Sequence, residues 1–158
     1  MTEPLMGMGF DVHSFAPGHP LMLGGVRLDA REGLVGHSDG DVVCHAVADA
    51  LLGAVALGDV GGLFPDTDPA FAGIGGLDLL GRVVEVVRNA GAYPVSADLT
   101  VIAERPSIAP VRDAMRRSLC GTLGVPTERV SVKATRPEGL GLTSDGIGCL
   151  ALVVLARS

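Results

Sequence analysis

Apolar and polar residues recur along this chain with two spacings, one typical of helices and one of strands. An apolar stripe at helical spacing predicts a first helix over 41–57, which Gly58 ends. Two further helices are predicted over about 77–90 and 110–123, the latter opened by Pro110. The remaining apolar runs are typical of strands: 6–13, 21–23, 26–28, 95–103, 129–135 and 149–156.

This mixed order predicts an α/β (α+β) two-layer sandwich, with one mixed sheet and helices on one of its faces. The chain has 158 residues, the usual size of one domain, and no internal repeat or linker, so we expect a single domain over 1–158. Gly24-Gly25 between two short apolar runs predicts a small hairpin. Gly7 and Gly9 allow another backbone to approach the first strand closely.

Charge and composition narrow the classes of function. The formal net charge is −6, the pI is near 5.0, and no basic cluster is longer than Arg116-Arg117, which argues against nucleic acid as a partner. Hydrophobic residues make up 47% of the chain and the mean hydropathy is +0.43, which indicates more apolar surface than one small domain can bury. We therefore expect the chain to self-associate.

The cysteines and apolar tracts bear on location. Cys44, Cys120 and Cys149 are odd in number and widely spaced, which favours a reducing compartment over a disulfide framework. The longest apolar tract, 149–156, is too short to cross a bilayer, and no basic stretch precedes an apolar run at the N-terminus. These features predict a cytoplasmic protein without a membrane partner.

Residues 37–45 carry more polarity than packing explains, since two imidazoles, a hydroxyl and two carboxylates crowd the start of the first helix. Ser38, with Asp41 three residues later, predicts a capping-box-like helix N-terminus. Asp41, His45 and Asp49 fall at i, i+4 and i+8 and are predicted to share one helix face. Asp49 either orients the His45 imidazole or is an ordinary solvated acid.

A second polar pair lies in the first strand. Asp11 and His13 stand two residues apart, so in an extended segment both side chains point to one face and can share a metal ion. Adding His45 gives one carboxylate and two imidazoles, a ligand set suited to zinc with a fourth position open for substrate. The alternative is that each histidine is an ordinary surface or core residue, because spacing does not show that positions 13 and 45 meet.

Two further groups suit phosphate or sugar. His37 and Ser38 precede a helix N-terminus, where unpaired backbone N–H groups favour an anion, although Ser38 can also serve as a simple cap. Asp59, Asp66 and Asp68 lie in a turn-rich loop and can accept hydrogen bonds from sugar hydroxyls or attract Mg²⁺. Turn stabilisation is the alternative for these acids.

Five motifs in order resemble one known family across essentially the whole chain. They are Gly9-Phe10-Asp11-Val12-His13, HSDGDxxxH at 37–45, LGDxG at 57–61, FPDTDP at 64–69 and KATxxExLG at 133–141. The set resembles the 2-C-methyl-D-erythritol 2,4-cyclodiphosphate synthase family of the non-mevalonate isoprenoid pathway. Five ordered motifs are more specific than any one alone.

The resemblance implies a metal-dependent lyase that works as a homotrimer with active sites between subunits. The substrate would be 4-diphosphocytidyl-2-C-methyl-D-erythritol 2-phosphate, and the products would be the cyclic diphosphate and CMP. Zinc is expected on Asp11, His13 and His45, and Mg²⁺ or Mn²⁺ on Glu138.

The resemblance also implies the residues that act on the substrate. His37, Thr135 and Arg136 are the expected catalytic residues, and 103–109 matches the cytidine pocket, where backbone groups can read the base. The expected substrate-binding residues are Asp11, Val12, His13, His37, Ser38, Asp59, Val60, Gly61, Phe64, Pro65, Asp66, Thr67, Asp68, Ala103, Glu104, Arg105, Pro106, Ser107, Ile108, Ala109, Thr135, Arg136, Pro137, Glu138 and Leu142.

Three positions depart from the family pattern. Arg136 stands where the family commonly has a second threonine, and we infer that it binds phosphate in place of the lost hydroxyl. Ser107 replaces a frequent lysine, which removes one cation from the cytidine loop. Residues 143–148 lack the arginine of the common TGRGEG segment, so an isoprenoid diphosphate is not expected to bind in the trimer cavity. A metal-dependent nucleotide phosphohydrolase and a non-catalytic metal or cytidine-nucleotide binding module remain alternative interpretations.

Overall fold

Strands and helices alternate along the chain in mixed order, as the sequence predicts. A computed structural model describes residues 3–141, 143 and 145–157. The strands are β1 (Leu5–Pro17), β2 (Leu21–Leu23), β3 (Val26–Leu28), β4 (Glu32–Leu34), β5 (Ala92–Ala103), β6 (Val130–Thr135) and β7 (Gly146–Arg157). The helices are α1 (Val42–Ala54), the short α2 (Val60–Leu63), α3 (Gly76–Asn89) and α4 (Arg112–Leu123), with 3₁₀ turns at Pro69–Phe71 and Thr127–Arg129.

A mixed sheet joins five of these strands in the order β4-β1-β7-β5-β6. β7 pairs in antiparallel fashion with both β1 and β5, while β6 runs parallel to β5. β2 and β3 form a separate hairpin, which confirms the prediction from Gly24-Gly25. The strands nearest the two ends of the sequence therefore lie side by side, and the prediction of a mixed α/β fold is confirmed.

The helices cover one face of the sheet and leave much of the other face exposed. Along β7, the odd-numbered residues 147–155 are buried in the core, whereas Leu150 and Leu152 on the opposite face are 40% and 45% exposed. Met8 and Phe10 of β1 are exposed on that face as well. This alternation places the hydrophobic core between the sheet and the helices.

Two glycines of β1 let helix α1 lie directly on the strand. A Cβ atom added at Gly9 would stand 2.0 Å from the carbonyl oxygen of Ala46, and one added at Gly7 would stand 1.9 Å from that of Ala50. No side chain fits at such distances, so the predicted close backbone approach is confirmed. The consequence for the site is that Asp11 and His13, further along β1, are carried under the first turns of α1.

The N-terminus of α1 differs from the prediction. The helix is capped by Asp41, whose carboxylate accepts hydrogen bonds from the backbone N–H groups of Val43 and Cys44, so the prediction of Ser38 as the cap was wrong. The same carboxylate accepts the N–H groups of Gly24 and Gly25. These four donors draw Asp41 into the interior, where it is fully buried, and it does not share the polar helix face with His45 as predicted.

Several other boundaries of helices and strands differ from those predicted from the sequence. α1 ends at Ala54 rather than 57, the 59–69 loop contains the short helix α2, and strand β4 had no periodic signal in its three residues. β1 continues to Pro17, beyond the predicted end at 13. Among the described residues, no helix is both long and apolar enough to cross a membrane.

Candidate functional site

Asp11 and His13 of β1 meet His45 of α1 at the helix-covered face of the sheet. Asp11 Oδ2 lies 2.8 Å from His13 Nε2 and 3.1 Å from His45 Nδ1, and the two ring nitrogens are 3.4 Å apart. In the described part of the chain, this is the one group of three or more histidine, cysteine or acidic side chains whose ligand atoms converge closely enough for a metal ion. The structure thus brings together the residues that the sequence left over thirty positions apart.

In each imidazole, the ring nitrogen that faces away from Asp11 has a hydrogen-bond partner of its own. His13 Nδ1 donates a hydrogen bond to the carbonyl oxygen of Val35, and His45 Nε2 lies 2.8 Å from the hydroxyl oxygen of Ser38. A ring nitrogen that carries the hydrogen leaves the other nitrogen with its lone pair directed at the triad. One carboxylate and two such imidazoles fit a divalent cation such as zinc, with a coordination position left for a further ligand.

Asp11 and His13 each favour the charged form of the other. Burial by itself would raise the pKa of Asp11, but hydrogen bonds from His13 and His45 outweigh it and lower that pKa to about 2. The hydrogen bond to Asp11 raises the pKa of His13. Asp11 is therefore ionised at neutral pH and able to bind a cation, with which protons on the imidazoles compete.

A cleft of about 410 Å³ opens beside the triad. Its lining includes Asp11, His13 and His45, and also His37 and Ser38. Val60, Gly61 and Phe64 of the predicted substrate loop line it as well. The remaining lining residues are Asp49, Asp66, Phe71, Ile74 and Leu79. The predicted phosphate-binding and loop residues therefore reach the same space as the metal triad.

Asp39 holds the 37–39 turn in place and was not assigned a role from sequence. Its carboxylate accepts the N–H groups of Asp41 at 3.0 Å and of Gly76, at the start of α3, at 2.8 Å. The backbone of the turn pairs with the same region, since Gly73 N–H donates to the His37 carbonyl oxygen. The exposed His37 side chain therefore projects from a turn anchored to two helices. The two acids of the Ser38-Asp39-Gly40-Asp41 motif were the sequence signal that could have found both Asp39 and Asp41 as anchoring residues.

A second, smaller cleft of about 160 Å³ contains most of the predicted cytidine pocket. It is lined by residues of the 103–109 loop together with Ala134, Thr135, Arg136 and, unpredicted, Arg112. The structure thus groups Thr135, the last residue of β6, and the following Arg136 with the predicted cytidine loop. It does not group them with the triad.

Arg105 departs from the rest of its loop. Its guanidinium forms hydrogen bonds of 3.0 Å with Glu32 and with Asp145, and it stacks over the Phe15 ring at 4.4 Å. The side chain therefore braces the loop against β1 and β4, and Arg105 does not line the cleft that its neighbours form.

Several other predicted residues do not line either cleft. Val12 is on the exposed face of the sheet, and Glu138 is exposed with a left-handed backbone at φ +52°. Asp59 and Asp68 cap short turns by accepting the N–H groups of Gly62 and Ala70. The others outside the linings are Pro65, Thr67 and the buried Pro137. Leu142 lies outside the described residues.

The two clefts open at the same end of the sheet but remain apart within one chain. His13, Ile147 and Ala103 are in register across β1, β7 and β5. Two strand spacings correspond to roughly 10 Å. The buried Ile147 side chain stands between the triad and the cytidine loop.

Taken together, the fold and the site define an α/β protein with a candidate metal site whose three converging side chains come from one strand and one helix. The chain belongs to the YgbB family, whose model matches residues 5–156. A 2-C-methyl-D-erythritol 2,4-cyclodiphosphate synthase from Symbiobacterium thermophilum is 51% identical over 154 residues, which cover 96% of this chain and 98% of the relative. A synthase of the same name from Marinobacter nauticus is 51% identical over 152 residues, covering 95% and 96%. The resemblance inferred from the motifs is confirmed.

Solved structures share the fold over the whole chain. The bifunctional IspDF of Campylobacter jejuni superposes with a TM-score of 0.94 at 39% identity, over 100% of this chain and 43% of that longer one. A 2C-methyl-D-erythritol-2,4-cyclodiphosphate synthase in its CDP-bound form gives 0.88 at 37% identity, over 95% and 99%. The CDP complex of Plasmodium falciparum IspF gives 0.84 at 26% identity, over 100% and 99%.

Proposed function

We propose that this protein is a phosphorus–oxygen lyase of isoprenoid precursor biosynthesis. It converts 4-diphosphocytidyl-2-C-methyl-D-erythritol 2-phosphate into 2-C-methyl-D-erythritol 2,4-cyclodiphosphate and CMP. The observation that carries this proposal is the convergence of Asp11, His13 and His45 beside His37 and Ser38, in a chain whose relatives bear that enzyme name.

The reaction needs charge neutralisation and alignment more than it needs a protein nucleophile. An oxygen of the 2-phosphate attacks the β-phosphorus, the bond between that phosphorus and the bridging oxygen breaks, and CMP leaves with the bridging oxygen. Both reacting groups are anionic, so holding them together provides most of the catalysis. The three cysteines are buried and take no part in this scheme.

We infer that the triad of Asp11, His13 and His45 holds Zn²⁺, and that Glu138 is the protein ligand of a Mg²⁺ or Mn²⁺ ion bound to the diphosphate. The converging carboxylate and imidazole atoms support the first assignment. The bound cations supply Lewis-acid stabilisation of phosphate oxygens. The exposed position of Glu138 allows its carboxylate to serve a cleft formed with another chain.

The remaining roles follow from the two clefts. On the triad side, His37 and Ser38 contact the erythritol phosphate, and residues 59–61 and 64–68 contact the erythritol. On the other side, 103–109 binds cytidine through its backbone, while Thr135 and Arg136 stabilise the transferring phosphate. The grouping of Thr135 and Arg136 with the 103–109 loop supports this division. Pro137 and Leu142 complete the proposed substrate-binding set.

We infer that the protein assembles as a homotrimer, with each active site formed between neighbouring chains. The exposed face of the sheet is apolar, with Met6, Met8 and Phe10 of β1 beside Leu150 and Leu152 of β7, and a monomer would leave this surface in water. The separation of the two clefts within one chain supports a shared site, because the triad of one subunit can then face the cytidine loop of its neighbour.

We also propose that residues 1–158 form one domain and that the protein works in the cytoplasm. The pairing of β1 with β7 supports the first point, because it ties the two ends of the described chain into one sheet. The free, buried state of all three cysteines supports the second.

Product identification tests the proposed reaction. The purified protein, supplied with zinc and Mg²⁺, is incubated with the substrate and the mixture is followed by phosphorus NMR. We expect a cyclic diphosphate and CMP, and we expect chelator treatment to stop their formation. An open-chain monophosphate would indicate a phosphohydrolase instead, and unchanged substrate would indicate a binding module.

A further inference from the structure

Asp49 is a cleft-lining acid whose role neither the motifs nor the metal triad explains. It lies on α1 one turn beyond His45 and is half-buried beside the triad. The imidazole of His45 already has Ser38 and Asp11 as partners. Asp49 instead accepts a hydrogen bond of 2.7 Å from the backbone N–H of Val60.

That hydrogen bond fixes a segment with few other attachments. Val60 is the first residue of α2, which is only four residues long and contains no buried side chain. A helix of that length is not stable by itself. The N-cap residue of α2, Asp59, accepts the Gly62 N–H and lies within the same segment, so it does not attach the segment to another element.

Within 58–64, as the structure describes it, the bond from Val60 to Asp49 is the one side-chain hydrogen bond that reaches another element. Packing adds a modest contribution, since Val60 and Phe64 are only partly buried against the core. Yet Val60, Gly61 and Phe64 form a wall of the same cleft that the triad lines. The position of this wall relative to the triad therefore depends on where the Asp49 carboxylate holds it.

We propose that Asp49 is a positioning residue that sets the distance between the metal triad and the 59–64 wall, so that both contact one substrate. The inference rests on the proposed function, since it concerns how the erythritol side of the substrate is held. Asp49 is not one of the three residues whose ligand atoms converge in the triad. Its effect passes through the backbone of Val60.

Two substitutions distinguish the effect of losing the hydrogen-bond acceptor of Asp49 from the effect of losing its negative charge. Asp49→Ala removes the acceptor, whereas Asp49→Asn keeps an oxygen at the same place. For Asp49→Ala we expect KM for the substrate to rise about tenfold, with a smaller change in kcat, because a hydrogen bond to a charged acceptor is lost from the binding site. Asp49→Asn should restore most of the affinity, and both variants should keep the zinc content of the parent protein.

Hydrogen exchange at the Val60 amide tests the same tether without any catalytic assay. We expect faster exchange in Asp49→Ala and near-parental exchange in Asp49→Asn, with no change in Asp113→Ala, which alters an exposed acid of α4. Unchanged exchange and KM in Asp49→Ala, loss of zinc, or an Asp49→Asn variant as impaired as Asp49→Ala would each overturn the proposal. An inactive parent protein would instead reject the proposed reaction, and the exchange comparison would still decide whether Asp49 holds the wall.

Discussion

At the scale of single residues, Ser38 connects the proposed metal triad to the proposed phosphate-binding residues of the cleft. Its oxygen accepts the Gly40 N–H at 3.2 Å and lies 2.8 Å from His45 Nε2. With the Nδ1 atom of His45 turned to the cation, Nε2 carries the hydrogen and donates it to Ser38. In the proposed reaction, the hydroxyl hydrogen of Ser38 is then left to donate to the substrate phosphate.

Ser38→Ala should therefore weaken metal binding as well as substrate binding. We expect zinc affinity to fall by about 10- to 100-fold, because partners of this kind orient the ligating imidazole. A competition titration with a chromogenic chelator measures this, with Ser131→Ala on the exposed side of β6 as a matched control. Equal zinc affinity in both variants would show that Ser38 does not orient His45.

Residue spacing predicted some of these contacts and not others. The i, i+2 spacing of Asp11 and His13 was enough to place both side chains on one face of a strand. The inward turn of Asp41 could not be predicted, because the Gly24 and Gly25 amides that draw it in come from a hairpin distant in sequence. The capping role of Asp41, in contrast, had a local signal that the prediction of Ser38 overlooked, because an aspartate stands directly before the apolar run that begins at Val42.

At the scale of elements, the site depends on how α1 lies on β1. Gly7 and Gly9 remove the side chains that would hold the helix away, and this close contact carries His45 to the Asp11-His13 pair. The sequence predicted the close approach but not which backbone would make it. Which backbone approaches the strand depends on the order of strands in the sheet, and hydrophobic periodicity does not predict that order.

Two short elements, β4 and α2, were not predicted, although the equally short strands β2 and β3 were. β4 has three residues, and its pairing with the end of β1 depends on tertiary contacts. α2 lies in a stretch rich in turn formers, and the Asp49 carboxylate that holds its first residue belongs to another helix. Such elements form where long-range contacts favour them, so a pattern confined to the segment does not show them.

At the scale of the whole molecule, the exposed apolar face of the sheet is the proposed trimer interface. Met8 of β1 is 69% exposed on that face, opposite Leu152 of β7. Met8→Glu would place charge in the proposed interface without disturbing the core, so we expect the trimer to dissociate and turnover to fall with it.

Sedimentation velocity at micromolar concentration measures the change in assembly. Leu57→Glu is a suitable control because Leu57 is also exposed but follows α1, away from the open face of the sheet. The control should sediment like the parent trimer. A monomeric parent protein, or a Met8→Glu variant that remains trimeric, would contradict the interface.

The central claim is that Asp11, His13 and His45 bind one divalent cation between them. Elemental analysis of zinc in purified protein, compared with His45→Ala and with His19→Ala in an exposed turn, tests it most directly. We predict about one zinc per chain in the parent and in His19→Ala, and little zinc in His45→Ala with the fold retained, because a ligand is lost and not a core contact. Equal zinc content in the parent and in His45→Ala would contradict the claim.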